Sequence, residues 1–178
     1  GAQKLAMRAK PPDIIDISAI TSIYRPGPLS AGVDKSYIKA KNDSKNIQYL
    51  NDTIEEITKE TAGFLIFQEQ IALLAHRLGK DITLEEGNKL RKLLTKKGTG
   101  EVENQKNKIR KKFIEGCKEK GVEEAAAGTI WQKFEYFSGY GFNKSHAVAY
   151  SMISYQTAWL ATYYNAEWAC AFLDKEPE

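Results

Sequence analysis

Apolar residues recur at helical spacing along most of this chain, and alternation of the strand type is almost absent. Gly1 to Lys10 reads as an amphipathic helix with scattered Lys and Arg, lacking the apolar centre and cleavage site of a signal peptide. Asp13 stands as an N-cap before Ile14, Ile15, Ile17, Ile20 and Ile23, and Arg25-Pro26-Gly27-Pro28 is expected to stop that helix in a rigid turn. A short helix over Val33 to Ala40, a polar loop through Asn46 and a helix capped by Asp52 and reaching Glu60 follow. Phe64-Leu65-Ile66-Phe67 is a brief apolar run, expected to be extended. Gln68 to Leu78 is helical, Gly79 is expected to end it as a left-handed C-cap, and Thr83 with Glu86 forms a capping box for a helix reaching Leu94.

Gly98 and Gly100 break the chain before a long basic helix that ends near Gly121, and a further helix covers Glu123 to Phe137. Beyond Gly139 and Gly141, Ser145 offers an N-cap for a helix of Ala, Tyr, Met, Ile and Trp that is apolar on most sides and is therefore expected to be buried. Asn165 interrupts it, and Ala166 to Leu173 form the last helix. The sum is an all-α fold of about eight helices in a single multi-helix domain spanning residues 1–178.

Composition narrows the class. With 42% hydrophobic and 28% charged residues the chain has the make-up of an ordinary globular domain, and no apolar run approaches the roughly 20 residues that span a bilayer. The two cysteines, Cys117 and Cys170, are far apart and fit free thiols in a reducing cytoplasm. With His76 and His146 they show no short spacing of the kind that closes a zinc site, so no metal site is expected. A formal net charge of +3 argues for no particular partner, but its distribution does: Lys89 to Lys112 holds ten Lys or Arg against only Glu101 and Glu103. That segment is a candidate anion-binding surface, against the plain alternative of a solvated helix face.

Two stretches combine polar donors with backbone freedom. In Arg91-Lys92-Leu93-Leu94-Thr95-Lys96-Lys97-Gly98, Arg91 and Thr95 fall on one stripe, with Leu90, Leu93 and Leu94 on the other. Lys96 and Lys97 also suit a helix C-terminus through its dipole, which accounts for them better than for Arg91. In Ser138-Gly139-Tyr140-Gly141-Phe142-Asn143-Lys144-Ser145-His146, glycines lead into polar residues at a helix start, the outline of an anion site with free N–H groups and a lysine. A glycine turn with a serine cap would look the same, and the phosphate-loop spacing is absent. The carboxylate pairs Asp13 and Asp16, Glu55 and Glu56, Glu85 and Glu86 fall at cap or surface positions, and none is assigned to catalysis.

The order Ile23-Tyr24-Arg25-Pro26-Gly27-Pro28-Leu29, Phe67-Gln68-Glu69-Gln70, Leu90-Arg91-Lys92 with Lys96-Lys97, Phe137 to Tyr150, and Ser154-Tyr155-Gln156-Thr157-Ala158-Trp159-Leu160 resembles the family C polymerases, the bacterial DNA polymerase III alpha subunits. The resemblance covers nearly the whole chain and implies its fingers region. It implies a DNA-directed DNA polymerase using deoxynucleoside triphosphates and two magnesium ions held by palm aspartates. Those aspartates precede this segment in the family, so the chain alone is expected to be inactive. Carried over by position, Arg91, Lys92, Lys96 and Lys97 resemble the basic residues near the triphosphate. Asn143, Lys144, Ser145 and His146 resemble the nucleotide-pocket loop, with Tyr150 on the helix that follows. Arg25 matches an arginine that supports the pocket or contacts DNA, and Lys108 and Lys111 are further candidates for DNA contact.

Implied partners are primer-template DNA, the incoming nucleotide, the palm domain of the same polypeptide and replisome subunits, in the cytoplasm and away from membranes. Where the family has paired arginines followed by Ala-Met-Gly, this chain has Arg91-Lys92-Leu93-Leu94-Thr95, so a point charge replaces any bidentate grip by the second residue. Such a departure fits a phage-encoded or divergent bacterial member. Two readings of other classes compete: a non-catalytic helical module gripping DNA backbone through Lys89 to Lys112, and a protein-interaction domain using the apolar helix Ala147 to Leu160.

Overall fold

A computed structural model describes residues 1–96 and 100–175. Among these, eleven α-helices form: α1 (Ala2–Ala9), α2 (Ile14–Ile23), α3 (Pro26–Ser30), α4 (Val33–Asn42), α5 (Asp52–Thr58), α6 (Gln68–Leu78), α7 (Leu84–Leu94), α8 (Gly100–Glu119), α9 (Glu124–Ser138), α10 (Lys144–Tyr163) and α11 (Asn165–Lys175). The fold is all-α, as its periodicity predicts. Ten of these follow stretches that read as helical in the sequence, and α3 forms where the sequence reads as a turn, so the count exceeds about eight.

Local chemistry explains most boundaries. The Asp13 carboxylate accepts from the Asp16 N–H at 2.9 Å and starts α2. The capping box of α7 is complete: Glu86 N–H donates to Thr83 Oγ1 at 3.1 Å, and Thr83 N–H donates back to the Glu86 carboxylate at 2.9 Å. That bond, followed by the one from Lys112, holds the Glu86 carboxyl below its ordinary pKa.

Several expectations fail for identifiable reasons. Arg25-Pro26-Gly27-Pro28 ends α2 but also opens α3, because proline in the first helical turn has no N–H to lose there. Asn51, not Asp52, caps α5, its side chain accepting from Ile54 N–H at 2.9 Å. Gly79 is extended (φ −71°, ψ 158°) and is no left-handed cap.

Two apolar cores hold the helices together. One gathers Leu74 and Leu78 of α6, Leu90 of α7, Phe113 of α8, and Trp131 and Phe134 of α9. Its three rings lie 5.2 to 5.9 Å apart in tilted arrangements. Here α8 crosses the α6–α7 turn so closely that a Cβ on Gly116 would stand 2.2 Å from the Lys80 nitrogen. The other core gathers Leu5 of α1, Ala19 and Ile23 of α2, Tyr37 of α4, Phe67, and Ala147 from the first turn of α10. Buried Asp16 is satisfied there by the Tyr37 hydroxyl at 2.8 Å and the Lys41 ammonium at 2.6 Å.

Helix α10 is not buried. It packs on α2 and α11, with Ala147 and Ser151 covered and Tyr150, Ile153, Tyr155, Trp159 and Tyr163 exposed. An apolar circumference predicts burial only where neighbours surround the helix, and among the described residues they line one side of α10.

Candidate functional site

The extended run Phe64–Phe67 leads into α6 and pairs with the glycine loop before α10. Phe142 N–H donates to Ile66 O at 3.0 Å and Gln68 N–H donates to Phe142 O at 2.9 Å, forming a parallel bridge between Phe67 and Phe142. Gln70, fully buried, holds this run from behind. Its Oε1 accepts from Ile66 N–H (2.9 Å) and Phe67 N–H (3.0 Å), and its Nε2 donates to Ile57 O (3.2 Å) and Thr61 Oγ1 (2.7 Å). Every polar atom of that amide is used, in the reach-back half of a capping box.

Two separated motifs contact this loop directly, and a third reaches it through Gln68. From the first, Arg25 donates Nε to Ser22 O at 2.7 Å and Nη2 to Tyr140 O, and its guanidinium lies 4.7 Å from the Phe142 ring centroid. Burial pulls the Arg25 pKa below the ordinary arginine value. A Cβ on Gly27 would stand 2.5 Å from the Tyr140 ring, so this loop closes over the Pro-Gly-Pro turn only where a side chain is missing.

From the second motif, Gln68 donates Nε2 to Gly141 O at 2.9 Å. Glu69 accepts from Asn143 Nδ2 at 2.9 Å and from Lys144 N–H at 3.0 Å. From the third, Arg91 donates Nη1 to Gln68 Oε1. Arg91 and Asn143–Lys144, about fifty positions apart in sequence, are thus held by the consecutive residues Gln68 and Glu69.

The start of α10 differs from the sequence reading. Asn143, not Ser145, is its cap: Asn143 Oδ1 accepts from His146 N–H at 2.8 Å and from Ser145 Oγ at 2.7 Å. The expected free N–H groups are partly occupied, since Lys144 N–H serves Glu69 and His146 N–H serves Asn143. The Lys144 ammonium is bound by the Glu60 carboxylate at 2.6 and 2.8 Å. The positive end of α10 is therefore answered by the chain's own Glu60 and Glu69.

Arg91 lies differently. It is half-buried, its Nε is shut off from solvent with no hydrogen-bond partner, and no carboxylate pairs with it among the described residues. Lys92 and Lys96 are exposed near the same end of α7; Lys97 lies outside the described residues. His146 and Tyr150 are exposed on α10, with the His146 ring 5.5 Å from Phe142 and 4.6 Å from Tyr150, so three flat rings form a row.

Within the basic stretch, Lys112 pairs with Glu86 at 3.0 Å and Lys106 with Glu103 at 3.6 Å. Lys108, Arg110 and Lys111 are exposed on α8 with no ion pair among the described residues. Arg110, Lys111 and Lys118 line a groove of about 750 Å³ between α8 and α9.

Sequence reasoning placed Arg25, Arg91 and the Asn143 loop but gave no role to Gln68, Gln70, Glu60 or Glu69. The available signal was Gln68-Glu69-Gln70 opening a helix directly after an apolar run, where first-turn side chains face back toward the preceding backbone. Among the described residues no group of three or more His, Cys, Asp or Glu side chains is placed to hold a metal ion. The magnesium ions implied by the resemblance have no such ligand set among the described residues. No helix among those residues is long and apolar enough to cross a membrane.

Comparison with known proteins bears on the whole chain. Residues 1–121 match the family described as the bacterial DNA polymerase III alpha subunit finger domain. Similar proteins include the DNA polymerase III subunit alpha of Chlamydia muridarum, 40% identical over 173 residues (97% of this chain, 13% of the relative). Those of Campylobacter jejuni, 36% identical over 176 residues (99% and 14%), and Pseudomonas aeruginosa, 36% identical over 178 residues (97% and 15%), are also similar. The chain spans about one seventh of the length of these relatives.

Proposed function

The chain belongs to the bacterial DNA polymerase III alpha subunit family, as its finger domain, and from that premise we propose that it binds the triphosphate of an incoming deoxynucleotide through Arg91. The observation that carries this is a half-buried guanidinium that is held by a neutral amide and has no carboxylate partner among the described residues, at the meeting point of three motifs. Burying part of a cation without a counter-ion is costly, and an anionic ligand removes that cost. Lys92 and Lys96 add positive charge from the end of α7, and Lys97, the next residue in sequence, is assigned to the same role. Fixed cations of this kind stabilise charge that builds on a transferring phosphoryl group and its pyrophosphate leaving group.

Asn143, Ser145 and His146 shape the rim of this site, and Lys144 joins it when the polyphosphate displaces Glu60 from its ammonium. The row Phe142, His146 and Tyr150 offers flat faces against which a base or sugar can pack. Arg25 acts as support, because its Nε and Nη2 tie the end of α2 to the loop.

In the parent protein this segment serves DNA-directed DNA synthesis in the cytoplasm, with magnesium and catalytic carboxylates supplied outside the present chain. The exposed aromatic side of α10 and α11 is a surface for the rest of that polypeptide, the palm domain included, or for replisome subunits. A second contact, to the DNA backbone, is favoured by Lys108, Arg110 and Lys111, which have no ion pair among the described residues along α8.

A crystal of this chain soaked with pyrophosphate tests the reading. The anion is expected against Arg91 and within reach of Lys144. An anion that settles only along α8 transfers the assignment to backbone binding, and one on any other face refutes both.

A further inference from the structure

We propose that Gln68 is a positioning residue, which orients Arg91 toward a polyphosphate while leaving the guanidinium charge uncompensated. The inference rests on the triphosphate reading above and concerns how the cation is kept available.

A ligand-binding arginine has two conflicting needs. It must be held in one direction, or binding loses the entropy of a long side chain. It must also not be neutralised by whatever holds it. A carboxylate meets the first need and defeats the second, and other cations of this chain are held that way: Lys144 by Glu60, Lys112 by Glu86 and Arg77 by Glu56. Arg91 has an amide in that role. A neutral amide oxygen fixes one nitrogen of the guanidinium fork and leaves the formal charge intact.

The direction of the Gln68 amide is itself determined. Gly141 O only accepts, so the amide nitrogen must face it, at 2.9 Å, and the oxygen is left to face Arg91. The Gln68 main-chain N–H donates to Phe142 O at 2.9 Å, which fixes the backbone from which the amide projects. The glycine loop thereby sets the orientation of Gln68, and Gln68 sets that of Arg91. Arg25 differs: its Nε and Nη2 donate to two carbonyls, and its face lies over a ring.

The test is titration of the 178-residue chain with sodium tripolyphosphate at low salt, followed by calorimetry, with a melting temperature taken for every variant. Arg91→Gln is expected to weaken binding about tenfold, the loss of one charge-assisted contact. Gln68→Glu is expected to weaken it by about tenfold while the melting temperature falls less than in Gln68→Leu, since the ion pair to Arg91 offsets the lost hydrogen bond to Gly141 O. Gln68→Leu, which frees Arg91 without neutralising it, is expected to cost about threefold. In the Arg91→Gln background, Gln68→Glu is expected to cost less than it does beside an intact Arg91.

A purely structural Gln68 would instead make binding follow melting temperature in both backgrounds, and that pattern overturns the proposal. So does wild-type affinity in Gln68→Glu when Arg91→Gln is impaired, a result that leaves the triphosphate reading standing. Wild-type affinity in Arg91→Gln, or no binding by the wild type, removes the triphosphate reading and this inference with it.

Discussion

Gln70→Leu tests whether the extended run before α6 owes its shape to a single amide. Leucine fills nearly the same volume, so the change leaves little cavity and acts through hydrogen bonds. Four are lost, and the two from Ile66 N–H and Phe67 N–H leave buried donors with no alternative acceptor. Each stranded buried group costs about 1–3 kcal/mol. Thr61 Oγ1 loses less, because its hydroxyl still donates to Phe64 O at 2.6 Å. Replacing a buried polar side chain by an apolar one returns about 1–2 kcal/mol. The middle of these ranges is a net destabilisation of about 2.5 kcal/mol, which for a chain of this length lowers the melting temperature by about 5–10 °C. Urea unfolding followed by circular dichroism measures it, and the midpoint is expected to fall with an unchanged slope. A loss under about 0.5 kcal/mol, the range of surface substitutions, would refute the argument and show that the Phe67–Phe142 bridge holds the run unaided.

Other substitutions and conditions probe separate links. Gly116→Ala puts a Cβ among three backbone atoms of the α6–α7 turn, none of which can rotate away; overpacking outweighs the gain of about 1 kcal/mol in helix propensity, and chemical denaturation is expected to show a net loss of about 2 kcal/mol. Cys117 is buried, and burial pushes its thiol up to about 11, while Cys170 is exposed; a thiol reagent at neutral pH is expected to label one cysteine in the folded chain and two in denaturant. Burial, and then the Asp16 carboxylate, raise the Tyr37 pKa well above the ordinary value. The unfolded chain loses that proton near pH 10 and the folded chain keeps it, so stability present below about pH 10 is lost as pH rises further. Tyr37→Phe is expected to flatten that part of a stability-versus-pH curve.

Features set by a few neighbouring residues are the ones legible in the sequence. The Asp13 cap and the Thr83–Glu86 box each need only a donor and an acceptor three positions apart, and both are present. Asn143 displaced Ser145 as cap because both can fill the role, and the choice fell to contacts from Glu69 on another helix. The exposure of α10 is invisible to periodicity, which reports how apolar a helix is and not what surrounds it. The family motifs identified the loop and Arg91 as places of interest. That Gln68 joins them depends on a fold that brings residues 68, 91 and 141 together, and no spacing rule connects those positions.

The seating of Ala147 among Leu5, Ala19 and Tyr37 carries a consequence for how the chain reaches this state. One core is completed by the first turn of a helix that follows α9, so it cannot close until the intervening helices have been laid down. The bridge between Phe67 and Phe142 imposes the same order. Segments α5 to α9 draw on contacts that are nearer in sequence and can assemble early, whereas α1 to α4 must wait for a distant partner and bear the loop-closure entropy first. During synthesis the end of α2 and the Pro-Gly-Pro turn therefore emerge well before the loop that covers them. The slow step of folding is expected to be the docking of α10 along α2, which is also the step that assembles the candidate site.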